Sequence, residues 1–192
     1  QYAPPAIDEV VAWIKQHKPA VVFAPHVETS AGLILPPEYL RAVGEAVQAV
    51  DGLFVLDCIA SGAMWVDMVD CKVDVLVSAP QKGWSSSPCC ALIAMSERAR
   101  ARIESTTSTS YSCDLKKWLQ VVETYEKGSH VYHTTMPTDS LRVLRDVMKE
   151  TQALGFANLK ARQVELGTKV RQLLESKGFK SVAAPGFQAP CV

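Results

Sequence analysis

Val73-Asp74-Val75-Leu76-Val77-Ser78-Ala79-Pro80-Gln81-Lys82-Gly83 is the stretch on which the fold turns. Val73 to Val77 is β-branched and apolar enough to read as a strand inside a sheet. The chain then leaves through small and turn-forming residues and sets a lysine, Lys82, just beyond the strand's carboxyl end.

Working outward, similar runs recur. Leu53 to Leu56 is an apolar strand ended by Asp57, Ala20 to Ala24 is an earlier one, and Ala91 to Met95 a fourth. The short continuous run at Ala20 to Ala24 is of the kind a strand buried on both faces shows. Helical patterns alternate with these strands. Asp8 to Lys18 places Val10, Val11, Trp13 and Ile14 among polar residues and stops at Pro19. Pro36 to Val50 carries apolar residues at Leu40, Val43, Ala46, Val47 and Val50, and Gly52 ends it. Strand–helix alternation with short connectors predicts an α/β fold with a mostly parallel sheet flanked by helices. Ligands of such sheets collect beyond the carboxyl ends of the strands. There the sequence places His26 to Gly32, Asp57 to Gly62 and Ser78 to Gly83, all polar loops converging on one edge.

The second half reads as helical. Asp114 to Lys127 carries Leu115, Trp118, Leu119, Val122 and Tyr125. Thr138 or Asp139 is expected to cap a long helix through Leu144 and Met148 to Thr151, with Gly155 interrupting it. A last helix runs from about Asn158 to Ser176, and Phe179 to Ala183 is expected to open a strand. The expected division is 1–138 as part of a large domain and 139–192 as a helical connector plus the start of a smaller one.

Composition narrows the function. The 192 residues carry 20 Lys plus Arg against 20 Asp plus Glu. A neutral chain offers no basic excess for neutralising phosphates, so nucleic-acid binding is not expected. No apolar run approaches the roughly 20 residues that span a membrane, and Gln1 to Glu9, polar and Pro-rich, shows no signal-peptide pattern. The six cysteines include no CxxC pair, so neither a zinc site nor a disulfide framework is expected; buried thiols in a reducing cytosol are.

Two residues attract chemistry. A lysine at a strand end in a partly desolvated pocket has a lowered pKa and becomes an amine nucleophile suited to a Schiff base; taken alone, Lys82 reads sooner as an ordinary surface lysine after a strand. Asp57 is either a cap beyond its strand or a carboxylate placed to keep a pyridine nitrogen protonated. One strand–crossover–strand unit separates them, so they belong to neighbouring strand ends. His26 and Glu28 lack a third metal ligand, and a packing or hydrogen-bonded role fits them better. Tyr132-His133-Thr134-Thr135 reads alone as a connector, or as a phosphate or substrate loop.

Taken together, Thr29-Ser30, Asp57 through Ser61 and Ser78-Ala79-Pro80-Gln81-Lys82 resemble the class V aminotransferases, pyridoxal-phosphate enzymes of fold type I. His26 to Gly32 and Tyr132-His133-Thr134-Thr135-Met136-Pro137 are most similar to the alanine–glyoxylate and serine–pyruvate branch. The resemblance implies that Lys82 forms the internal aldimine with pyridoxal 5′-phosphate and then shuttles the substrate proton. It implies that Asp57 pairs with the pyridine nitrogen, Ile59 packs on the ring and Thr29 bonds the phenolic oxygen. Ser78 and Gln81 would hold the phosphate, while Tyr132 and Thr135 would reach the phosphate of the neighbouring subunit in a homodimer. The implied reaction moves an amino group from alanine or serine to glyoxylate or pyruvate.

Gln81 stands where the related cysteine desulfurases carry His and the phosphonate-processing transaminases Asn. It therefore favours the aminotransferase over a related lyase, desulfurase-like or kynureninase-like. Val27 and Ala31 stand where Gly and Thr are common in the branch. Family members run to roughly twice this length, so the chain is expected to be an internal portion. The phosphate-loop half and the carboxylate-binding arginine would lie outside it. An inactive portion that only dimerises is the non-enzymatic alternative. A cytoplasmic location is the default expectation; a peroxisomal address would sit at a C-terminus beyond this stretch.

Overall fold

The computed structural model describes residues 1–192. Helix α1 (Ile7–His17) leads into strand β1 (Val21–Pro25). A short antiparallel pair follows, β2 (Val27–Glu28) and β3 (Leu33–Ile34). Then come α2 (Pro37–Ala49), β4 (Leu53–Asp57), β5 (Val75–Ser78) and β6 (Leu92–Met95). The second half holds α3 (Glu97–Glu104), α4 (Leu115–Glu126), α5 (Thr138–Leu154) and α6 (Phe156–Ser176).

The main sheet has the order β1-β4-β5-β6. The first three strands are parallel, as the strand–helix alternation predicts. β6 runs antiparallel to β5, because the 79–91 connection is a loop that turns back on itself and not a helical crossover.

Helices α1 and α2 cover one face of this sheet. Ile14, Leu40, Val43 and Val47 pack on Phe54 and Leu56, all buried. β4 therefore alternates buried and half-buried residues. The reading of Ala20 to Ala24 as buried on both faces is corrected: β1 is an edge strand, and Val21 and Phe23 are 53% and 62% exposed on the face no helix covers.

Asp74, inside the decisive stretch, is 1% exposed. Its carboxylate accepts from the Phe54 N–H (3.0 Å), the Ser96 hydroxyl (2.8 Å) and the Arg98 guanidinium (3.0 Å). A buried carboxylate is tolerable only when saturated in this way. Ser96 also caps α3 through the Ala99 N–H.

Three further expectations change. α5 begins after Pro137 with no side-chain cap, and Thr138 is its first helical residue. A proline supplies the fixed φ there but no side-chain acceptor. Phe179 to Ala183 forms no strand; Ala183 makes one isolated bridge to Tyr2. Instead the tail runs back along the first half, with Tyr2 N–H on Val182 C=O (2.8 Å), Ile34 N–H on Phe187 C=O (2.9 Å) and Ala189 N–H on Gly32 C=O (2.8 Å). The thiols are not uniformly buried: Cys58 and Cys71 are, Cys113 is exposed, and Cys89, Cys90 and Cys191 are half-buried.

Gly155, at φ +85°, separates α5 from α6 as expected. α6 buries none of its residues. No helix is long and apolar enough to cross a membrane.

Candidate active site

The sheet register lines up the three polar loops. Pro25 pairs with Asp57, and Asp57 with Val77, so Ser78 and the loop to Lys82 begin one residue beyond Asp57's own row. Backbone bonds stitch these ends together. His26 N–H donates to Asp57 C=O (2.9 Å), and Cys58 N–H to Val77 C=O (2.8 Å).

Asp57 is half-buried and turns its Oδ1 onto the Ile59 N–H at 2.9 Å. This turn fixes the carboxylate and leaves Oδ2 without a partner in the protein. Ile59 is half-buried beside it. Ser78, half-buried, closes β5 opposite Leu92. Pro80 is fully buried and anchors the loop, its carbonyl accepting from Ser86 N–H (3.0 Å). Gln81 and Lys82 are exposed on the turn so formed, which Ser85 N–H closes on Lys82 C=O (2.9 Å). Lys82 makes no ion pair.

Gly62 and Gly83 hold the Asp57 and Lys82 loops against each other. A Cβ on Gly83 would lie 2.5 Å from Gly62 C=O, so the backbones touch where no side chain fits. Trp84, next along, packs on Trp65 at 5.2 Å. Trp65 packs edge-on against Phe156 at the start of α6, and its indole N–H donates to Phe156 C=O (3.1 Å).

The third loop joins through a buried pair. His26 Nδ1 meets Ser61 Oγ at 2.7 Å. Burial, helped by Lys160, lowers the His26 pKa to about 4, so the imidazole is neutral. His26 thus has the hydrogen-bonded role its sequence context suggests. Glu28 bonds the hydroxyl of Ser30 (2.6 Å) and the N–H of Ala31 (2.8 Å), a local turn that displays Thr29 to solvent. The Ser30 hydroxyl, followed by these main-chain N–H groups, lowers the Glu28 pKa.

Tyr132 and Thr135 lie apart from this cluster. Tyr132 is 79% exposed, its hydroxyl 3.4 Å from Thr135 Oγ1. Buried His133 anchors their loop, tilted against Tyr111 and edge-on to Trp118, and the Tyr111 hydroxyl donates to the His133 carbonyl. No hydrogen bond joins this loop to the strand ends.

Sequence reasoning missed Ser61, the Gly62–Gly83 contact, the Trp65–Trp84 pair and Ser86, whose buried hydroxyl has no partner. The glycines and tryptophans were visible as residue types, but only the fold shows which of them meet.

The donor set suits pyridoxal phosphate. It offers a carboxylate with a free oxygen, an unpaired amine on the neighbouring strand end, and hydroxyls at Ser78 and the orphaned Ser86. A groove of about 510 Å³ between α6 and the 179–192 tail sets Leu166, Val170, Leu174 and Phe179 beside Arg171, Glu175 and Lys180, and neither Asp57 nor Lys82 lines it.

The fold is that of the type I pyridoxal-phosphate-dependent transferases. Alanine–glyoxylate aminotransferase from Nostoc sp. superposes with a TM-score of 0.86 at 25% identity, over 96% of this chain and 48% of that one. Ureidoglycine–glyoxylate aminotransferase from Bacillus subtilis superposes at 0.82 with 26% identity, over 96% and 46%. The family model for class V aminotransferases matches residues 4–188, and the chain belongs to that family. Rat (Rattus norvegicus) alanine–glyoxylate aminotransferase is 28% identical over 190 residues, 97% of this chain and 45% of the relative. The chain spans about half the length of the relatives it matches. The family's cofactor is pyridoxal phosphate. A cysteine desulfurase matches at 13% identity, a likeness of fold alone, and the lyase alternative gains nothing from it.

Proposed function

We propose that this chain is the cofactor-bearing portion of an aminotransferase that uses glyoxylate as amino acceptor. The observation that carries the reading is the backbone contact of Gly62 with Gly83, which sets the Asp57 and Lys82 loops side by side. Glyoxylate recurs in the names of relatives that differ in donor: alanine, (S)-ureidoglycine and L-aspartate. The acceptor is thus better supported than the alanine or serine donor, and pyruvate is the second acceptor.

Bound at these strand ends, pyridoxal phosphate supplies the electron-withdrawing ring that transamination needs. Lys82 holds the cofactor through its Nζ and, when free of it, carries the proton to and from the substrate α-carbon. Asp57 offers Oδ2 to the ring nitrogen and keeps it protonated, its Oδ1 being held by Ile59 N–H. Ile59 packs on the ring, Thr29 donates to its phenolic oxygen, and Ser78 and Gln81 bind the phosphate. Tyr132 and Thr135, exposed and well removed in sequence, serve a second copy in a homodimer. Residues 1–138 form the cofactor-binding portion, with 139–192 leading into a smaller domain.

Borohydride reduction of the protein with pyridoxal phosphate, followed by peptide mass mapping, tests the reading. A pyridoxyl group confined to Lys82 is expected, and none in Lys82→Ala. Label spread evenly over the surface lysines, or unchanged by that substitution, overturns it.

A further inference from the structure

The loop that carries Lys82 continues through Ser85-Ser86-Ser87-Pro88 to two adjacent cysteines, Cys89 and Cys90, before β6 begins. Neighbouring side chains on an extended backbone point to opposite faces. Here the two sulfurs nonetheless lie 3.8 Å apart. Theirs is the one sulfur–sulfur contact at hydrogen-bonding distance in the molecule. Both residues are half-buried, within reach of a small oxidant. No main-chain hydrogen bond involves residues 87–91, so the segment is free to adjust.

We propose that Cys89 and Cys90 form a peroxide-sensitive dithiol that closes reversibly to a disulfide between adjacent residues. Hydrogen peroxide is the oxidant. The Cys89 sulfur attacks one peroxide oxygen, the O–O bond breaks, and water leaves, giving a sulfenic acid at Cys89. The Cys90 sulfur then attacks the Cys89 sulfur, the S–O bond breaks, and a second water leaves. Two thiols and one peroxide become one disulfide and two waters.

The order follows from environment. Burial, with Cys89 beside it, pushes the Cys90 thiol up to about 11, which makes Cys90 the poorer first nucleophile toward peroxide. Contiguity fixes the character of the product. Consecutive Cα atoms lie about 3.8 Å apart, closer than the roughly 4.4–6.8 Å that an unstrained bridge prefers. The bridge is therefore strained and easily reduced, a reversible mark and not a staple. The chemistry stands whether or not Lys82 carries the cofactor.

Trypsin releases residues 83–98 as one peptide containing both cysteines and no others. After limited peroxide on the native protein, this peptide is expected two hydrogens lighter, and dithiothreitol restores it. In Cys90→Ser the same treatment leaves Cys89 as a sulfenic acid that dimedone traps. Peptides that only gain oxygen at the cysteines overturn the proposal. So does a 83–98 peptide that stays reduced while exposed Cys113 is oxidised, or a bridge from either residue to another cysteine.

Discussion

His26 Nδ1 and Ser61 Oγ meet 2.7 Å apart in the interior, across thirty-five residues of sequence. Each closes a different loop beyond the sheet, one after β1 and one after β4. Their bond ties Thr29's loop to that of Asp57 without either residue belonging to the proposed cofactor contacts.

Ser61→Ala should strip the buried imidazole of its partner and cost about 1–3 kcal/mol of stability, the desolvation penalty of an unmet polar group. The urea midpoint measures it. Ser61→Thr, which keeps the hydroxyl, should recover part of the loss.

The same histidine sets an acid limit. Its folded pKa of about 4 lies below the ordinary value of 6.5, because burial excludes the charged form. The unfolded chain therefore binds the extra proton between those values, and stability rises with pH across that window. The contribution is complete above pH 6.5 and is lost progressively as pH falls toward 4. It amounts to about 3 kcal/mol. Urea unfolding at intervals across this range should show that slope, and His26→Phe should flatten it. Lys160→Met, by removing a nearby positive charge, should narrow the window.

Gly83→Ala should press a methyl group onto Gly62 C=O and force the two loops apart. A stability cost of about 1–3 kcal/mol and reduced pyridoxyl labelling of Lys82 are expected together. Gly128→Ala is a control: φ is +76° there, but nothing lies near its Cβ. It should lose about 1 kcal/mol from backbone strain and keep full labelling.

Asp74→Ala should be severe, at about 3–5 kcal/mol. It leaves the Phe54 N–H, the Ser96 hydroxyl and the Arg98 guanidinium without their shared acceptor. Thermal or urea denaturation reads it directly. Labelling of Lys82 in the protein that remains folded should be unchanged, since Asp74 opens the approach to β5 and Lys82 lies beyond its far end.

Legibility in the sequence followed the range of the interactions. β4 and β5 could be read because burial wrote them as apolar runs, and α2 because its apolar positions repeat at helical spacing. α3 escaped: Glu-Arg-Ala-Arg-Ala-Arg-Ile-Glu has no apolar stripe, and it is held by the Ser96 cap, by buried Ala99 and by arginine pairs with Asp74, Glu123 and Asp51 that lie far away in sequence. β2 and β3, two residues each, are too short to show a period. Lys82 and Asp57 were visible as strand-end residues, but Ser61 and Gly62 acquire meaning only through partners far along the chain. Asp74 sat unremarked in the most informative stretch, because a carboxylate there reads as a break in the pattern until its three donors are seen.

Helix α6, none of whose residues is fully buried, has a consequence for how the molecule breathes. Its main-chain bonds are shielded by little packed side-chain mass, whereas those of β4 lie over the Phe54–Leu56 layer. Amide protons of α6 should therefore exchange with solvent deuterium through local opening, long before those of β4, which await global unfolding. The hinge of that opening is Gly155, where the backbone already sits at φ +85° and a protease would find its first purchase.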